Sequence, residues 1–194
     1  HCQIRPEAAN ERRLKLLKKA GCHGISVGIE TLNEKFRKEV LKRSGTNEKI
    51  TEGCLRIKEF GIKLRTFQMI GLPGATIEDD LETLRWNCLI RPDFARVGVY
   101  VPLKGTVLGD SCIEKGLWDG SEGVFSEMSM FDESVLRYSP EHKRKLVYLQ
   151  KIFHVATAMP YGDKIAEDFI AMEDPDFKDF LDLSRKHILD GLYM

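Results

Sequence analysis

Three short stretches hold the side chains and backbone best suited to chemistry. The first is Gly28-Ile29-Glu30, which puts a carboxylate at the end of an apolar run. An ionised Glu only accepts hydrogen bonds, so it suits a ligand that offers hydroxyls or amines. The second is Met69-Ile70-Gly71-Leu72-Pro73-Gly74, where an apolar run meets a Gly-Leu-Pro-Gly corner. Its glycines let main-chain N–H and C=O groups come close to a ligand, and Pro73 biases Leu72 toward an extended shape and stops the strand. The third is Tyr100-Val101-Pro102, followed by Lys104-Gly105-Thr106. Taken singly, each is as well read as an ordinary turn or strand end. A fourth group, the cysteines, does not look like a metal set. Cys2, Cys22, Cys54, Cys88 and Cys112 are scattered with no tight spacing, which reads as small core residues in a reducing compartment. Cys22 and His23 are adjacent and would point to opposite faces of a strand.

Elements that alternate in type must position these stretches. Cys2 to Arg5 reads as a short strand closed by Pro6, followed by a helix over about 7–20 with Leu14 and Leu17 buried and Gly21 at its end. Gly24 to Glu30 alternates as a strand. Helices are expected from Asn33 through Phe36, Val40 and Leu41 to near Ser44-Gly45, and from Thr46 or Asn47 to Phe60. A strand then runs over about 62–70 into the corner. Thr76, with Asp79 three residues on, caps a helix whose buried face is Ile77, Leu81, Leu84 and Cys88. Arg96 to Val101 is the last clear strand. Strands separated by amphipathic helices imply a parallel sheet built from right-handed crossovers, and four strands are too few to close a barrel. All three stretches then fall at the C-terminal ends of successive strands, the rim on which such folds build their sites.

Two regions follow from this: residues 1–109 as the sheet unit and residues 110–194 as a loop-rich and helical extension. Gly116, Gly120 and Gly123 break up the first part of the extension, Ser139-Pro140-Glu141 starts a helix, and Asp174-Pro175 divides the remainder. The chain has 194 residues, with 30 basic and 30 acidic side chains. That balance argues against a dedicated nucleic-acid or membrane-surface binder. No apolar run reaches membrane length and the first residues resemble no secretion signal, so the cytoplasm is the expected location. The chain opens on His1-Cys2-Gln3-Ile4, already strand-like, which suggests a piece of a longer protein.

The order of motifs resembles the radical S-adenosylmethionine (SAM) superfamily over about residues 2–108. The resemblance rests on Ala20-Gly21-Cys22 followed by Ile25-Ser26-Val27-Gly28-Ile29-Glu30-Thr31, on Ile70-Gly71-Leu72-Pro73-Gly74-x-Thr76-x-Glu78-Asp79, and on Tyr100-x-Pro102-x-x-Gly105-Thr106. The leading Cys2-x-Ile4-Arg5-Pro6-Glu7 resembles the family's third strand. The nearest branch is that of methylthiotransferases, coproporphyrinogen dehydrogenase-like proteins and cobalamin-associated enzymes. The resemblance implies an α/β fold, a partial parallel (βα) barrel fragment holding strands three to six of a six-strand core, with a C-terminal helical extension. It implies an oxidoreductase-type enzyme in which SAM at a 4Fe-4S cluster is cleaved reductively to a 5′-deoxyadenosyl radical that abstracts hydrogen from a small-molecule substrate. Gly28 and Glu30 would then serve the ribose of SAM. Met69, Ile70, Gly71, Leu72 and Pro73 would meet the adenine, Tyr100 and Pro102 would line the neighbouring cavity, and Arg5 would reach the methionine carboxylate or the substrate unless it is a plain surface residue.

Two departures stand out. The Cys-x-x-x-Cys-x-x-Cys motif of the family and its early Gly-Gly-Glu-like segment are absent from the chain, and Lys104 stands where Pro is common. The cluster is therefore expected on a segment upstream of His1, together with any cobalamin domain, and the chain alone is expected to be inactive. An open sheet edge would permit self-association. Two rival readings are a catalytically dead paralogue kept as a scaffold or binding module, and a conventional (βα) barrel enzyme that binds a phosphate or sugar. The apolar Leu72-Pro73 favours a nucleobase over a phosphate cradle.

Overall fold

The structure is a computed structural model and describes residues 1–121, 131 and 133–192. Four strands, β1 (Cys2–Gln3), β2 (Gly24–Glu30), β3 (Lys63–Ile70) and β4 (Phe94–Val99), form one sheet in the order β1-β2-β3-β4. Every pairing is parallel, with Cys2 opposite Ile25, Gly24 opposite Lys63 and Arg65 opposite Phe94. Parallel neighbours require crossovers, and helices α1 (Glu11–Lys19), α2 (Glu34–Glu39), α3 (Asn47–Glu59) and α4 (Ile77–Ile90) supply them. Helices α5 (Val107–Glu114), α6 (Pro140–Ala158), α7 (Gly162–Ala171) and α8 (Phe177–Leu192) follow. This is the partial parallel barrel with a helical extension that the sequence implies.

One face of the sheet is buried under the helices. Ile25, Val27, Ile29 and Leu64 pack with Leu14 of α1 and with Ile50, Cys54 and Ile57 of α3. Ile70, Ala95, Val97 and Val99 pack with α4, α6 and α7. Within this layer Asn87 of α4 accepts from Thr66 at 2.8 Å and donates to Gln68 at 3.3 Å, so the polar residues of β3 are paired rather than stranded. The alternation of β3 and β4 puts Arg65, Phe67, Met69, Phe94, Arg96 and Gly98 on the opposite, more open face.

The extension does more than trail behind the sheet. Helix α6 lies along β4, where the Ala95 N–H donates to Nδ1 of His154 at 3.3 Å and the His154 ring sits 4.4 Å from that of Phe94. A backbone donor at the edge of the sheet is thereby satisfied by a helix.

Three local expectations change. The first helix does not begin at Glu7. A 3-10 turn over Pro6–Ala8 comes first, and α1 starts at Glu11 because the Asn10 side chain accepts from the Arg13 N–H at 2.9 Å. The last strand is Phe94–Val99, two residues earlier than Arg96 to Val101; the Tyr100 N–H still donates to the Ile70 carbonyl at 2.9 Å, and Pro102 then has no N–H to extend the pairing. The stretch at the boundary of the two regions, expected to turn irregular after about Gly109, is helix α5. Thr106 caps it by accepting from the Gly109 N–H at 3.1 Å, and residue 109 lies inside it. Gly123 falls outside the described residues.

Candidate functional site at the strand rim

Glu30 is the last residue of β2 and adopts φ +68°, a left-handed conformation that few non-glycine residues take. The register shifts between Gly28 and Glu30, a β-bulge that turns the side chain back over the strand. Its Oε1 lies 2.9 Å from Nη2 of Arg43, while Nη1 of the same guanidinium donates to the Gly28 carbonyl at 3.0 Å. A Cβ at position 28 would sit 2.5 Å from Oε1, so the glycine makes room for the folded-back carboxylate. Burial pushes the Glu30 carboxyl up from its ordinary value, and Arg43 opposes that shift.

A second arginine holds this arrangement from below. Arg37 of α2 is fully buried and donates to the Thr31 carbonyl, to the Gly45 carbonyl at 3.0 Å and to Oδ1 of Asn47 at 2.7 Å. It therefore pins the residue after Glu30 and a residue just beyond Arg43 to the same point. Two further bonds tie this segment to the start of α4: Asn33 to Asp79 at 2.8 Å, and the Leu32 N–H to Thr83 at 3.1 Å.

The corner is the other half of the rim. Gly71 and Gly74 have φ +66° and +80°, so both need the freedom of glycine. Thr76 and Asp79 form the capping box that starts α4. Beneath the corner the Gly71 N–H donates to the buried Asp80 carboxylate at 3.1 Å. The Leu72 carbonyl accepts from the Tyr138 hydroxyl at 2.5 Å and from the Ala75 N–H at 2.8 Å. Tyr138 stacks on His142 of α6 with ring centroids 4.1 Å apart, so the helical extension supports the corner directly.

Burial raises the Asp80 carboxyl to about 8, against one lowering influence from the Gly71 N–H. Below that value the folded protein holds a proton that the unfolded chain releases at a lower pH. The contribution of Asp80 to stability is thus greatest in acid and is lost as pH rises toward about 8. Asp80→Asn is expected to flatten the dependence of the melting temperature on pH across that window. An unchanged pH profile in thermal melts would show that Asp80 does not titrate there.

The expected residues converge in part. Leu72 and Tyr100 share a buried rim cluster with Cys112, Trp118 and Leu136, against which Met69 packs, and Pro102 is buried in the segment that follows β4. Tyr100 is also hydrogen-bonded to Cys112, and burial pushes its hydroxyl up. Ile70 is fully buried with its side chain in the helix layer, so only its backbone belongs to the rim, where its carbonyl accepts from the Tyr100 N–H at 2.9 Å. Pro73 is half-buried in the corner. Arg5 is exposed and starts the 3-10 turn, whereas the cation that meets Glu30 is Arg43. Arg37, Arg43, Asp80 and Tyr138 were not legible in the sequence. Each acts through a partner six or more residues away on another segment, and no local pattern marks such a pair.

The cysteines do not form a cluster site. Among the described residues no three His, Cys, Asp or Glu side chains come together as metal ligands. Cys2 and Cys22 approach to 3.8 Å between sulfurs, while burial pushes the Cys54 and Cys88 thiols up to about 12. Those two resist the deprotonation that ligation to iron requires.

The radical SAM superfamily model matches residues 1–86, which span β1 to most of α4 and include Glu30, Arg37, Arg43, the corner and Asp80. Over those residues the chain is similar to the radical SAM superfamily. An uncharacterised methyltransferase of Pyrococcus horikoshii is 27% identical over 108 residues, which is 56% of this chain and 23% of the relative. The chain thus spans less than a quarter of the length of that curated relative. Among solved structures, an N-terminally truncated Elp3 of Methanocaldococcus infernus superposes with a TM-score of 0.56 at 20% identity, over 82% of this chain and 33% of the other. The methyltransferase TsrM of Kitasatospora setae, solved with cobalamin and a 4Fe-4S cluster, gives 0.51 at 22% identity over 58% of this chain and 22% of the other. At such identities the structural likeness speaks for the fold alone. The family works with SAM and an iron–sulfur cluster. No helix among the described residues is long and apolar enough to cross a membrane.

Proposed function

We propose that this chain forms the adenosine-binding side of the SAM site in a radical SAM enzyme of oxidoreductase type. The observation that carries the reading is the Glu30 carboxylate, turned back at the end of β2 and clamped at 2.9 Å by Arg43, on the same rim as the Gly-Leu-Pro-Gly corner. In this reading Glu30 accepts hydrogen bonds from the two ribose hydroxyls, which an ionised carboxylate can do with both oxygens. Arg43 opposes the upward shift that burial imposes on this carboxyl and fixes its direction. Met69 supplies the accessible apolar surface for the adenine, with Leu72 and Tyr100 packed behind it. The backbone around Ile70 and Gly71 sets the edge of that surface, with Gly28, Pro73 and Pro102 shaping its border. Arg5 is the weaker member, assigned to the methionine carboxylate or the substrate.

SAM supplies, when cleaved reductively, the 5′-deoxyadenosyl group that abstracts hydrogen from a small-molecule substrate. The cysteines here do not suit the cluster, so cleavage is assigned to the longer protein and the chain alone is expected to be inactive. Cobalamin in a longer protein is suggested by the resemblance to the cobalamin-associated branch. Association of copies through the sheet edge and a cytoplasmic location belong to the same reading.

The test is SAM binding to this chain by calorimetry. Glu30→Gln is expected to weaken it by about tenfold or more, the size of a lost charge-assisted hydrogen bond. Binding by the unchanged chain should also fade as pH falls through the raised Glu30 pKa, because protonation removes the acceptor. Equal affinities for the two proteins would take Glu30 out of the site.

A further inference from the structure

A second cleft lies away from the rim, where the open face of the sheet meets α6. It has a volume of about 430 Å³, and Arg65, Phe94, Arg96, Gln150, Lys151 and His154 line it. The size suits a small organic ligand. Its chemistry is one-sided, since among the described residues no Asp or Glu contributes to the lining. Arg65 and Lys151 have no carboxylate partner among the described residues. His154 adds to this. Its Nδ1 accepts from the Ala95 N–H, so in the neutral ring Nε2 must carry the proton and act as a donor.

The strand register organises the cations. Arg65 stands opposite Phe94 and Phe67 opposite Arg96, which makes a checkerboard of guanidinium and phenyl groups across β3 and β4. The Arg65 guanidinium lies 5.2 Å from the centre of the Phe94 ring, and that of Arg96 lies 5.9 Å from the centre of Phe67. Stacking on a ring holds a guanidinium in place while leaving its N–H edge directed sideways to bind an anion. The phenyl groups also offer an apolar surface beside the charge.

We infer that this cleft is a binding site for a small organic anion, a phosphate or carboxylate attached to a ring. Arg65 and Lys151 hold the anionic group and Phe94 supports the ring. The site is separate from the rim and does not depend on the SAM reading.

The test titrates phenyl phosphate, benzoate and uncharged benzyl alcohol into the chain, with the Ala95 and Gln150 amide resonances as reporters. None of the probes contains adenine, so the rim does not compete for them. Phenyl phosphate, benzoate or both should saturate the reporters while benzyl alcohol does not, and the tighter of the two identifies the preferred anion. Arg65→Gln and Lys151→Gln replace exposed side chains and should each weaken binding by about tenfold. Phe94→Leu should weaken phenyl phosphate more than inorganic phosphate, because it removes the support for the ligand ring as well as the stacking that holds Arg65. Glu30→Gln should leave all of these titrations unaltered, which separates a failure here from a failure at the rim. Equal binding of benzyl alcohol, or no effect of the two charge variants on a folded chain, overturns the inference. So does tight binding of poly(U) through Arg65 and Lys151 with no response to the small anions, which would make the face a nucleic-acid surface.

Discussion

Arg37→Leu is expected to destabilise the chain by about 3 kcal/mol or more and to abolish SAM binding even under conditions where the protein stays folded. The guanidinium is 1% exposed and satisfies two backbone carbonyls and the Asn47 side chain, acceptors that leucine would leave unpaired. Two of those contacts flank the Glu30–Arg43 pair, at Thr31 and Gly45. Losing them should free the segment that gives Glu30 its direction. Urea denaturation gives the first quantity and calorimetry with SAM the second. A folded Arg37→Leu protein with native SAM affinity would show that the pinned segment is unnecessary for the site.

Gly53→Ala should have a comparable effect on stability by a different mechanism. Gly53 is buried in the middle of α3, where alanine would ordinarily be the better helix former. Here a Cβ would come within 2.1 Å of the Pro6 carbonyl oxygen, a backbone atom that also accepts from the Ala9 N–H at 3.0 Å. Neither side can yield by rotating a side chain, so α3 and the 3-10 turn must separate. Overpacking of this kind costs about 3 kcal/mol. The loss should appear as a lower urea midpoint with an unchanged slope, and a midpoint at or above that of the unchanged chain would refute the close approach.

The frame of the molecule was readable because its signals are local. Alternation marks β2 and β3, and Thr76 with Asp79 marks the start of α4 within four residues of chain. The strand ends that carry Glu30, the corner and Tyr100 follow from those elements. What stayed hidden depends on tertiary partners. Arg37 looks like one more basic residue on a short charged helix, yet it is buried because three acceptors from other segments surround it. Glu30 reads as the end of a regular strand, and its bulge is visible only once β2 is paired with β3. Helix α5 is an exception, since Thr106 with Asp110 four residues on was a readable start that the surrounding glycines obscured.

The hydrogen bond from Ala95 to His154 bears on how the chain should be handled. A parallel sheet that ends in an uncovered strand is a template for further strands, and folded proteins commonly hide such a strand beneath a helix. Helix α6 does this for β4. A chain shortened to end before Pro140 would keep all of the residues that match the family model, but it would lose that cover along with the apolar face of α6 that buries Val97 and Val99. Such a piece should be poorly soluble, and the minimal soluble unit is therefore longer than the minimal recognisable one.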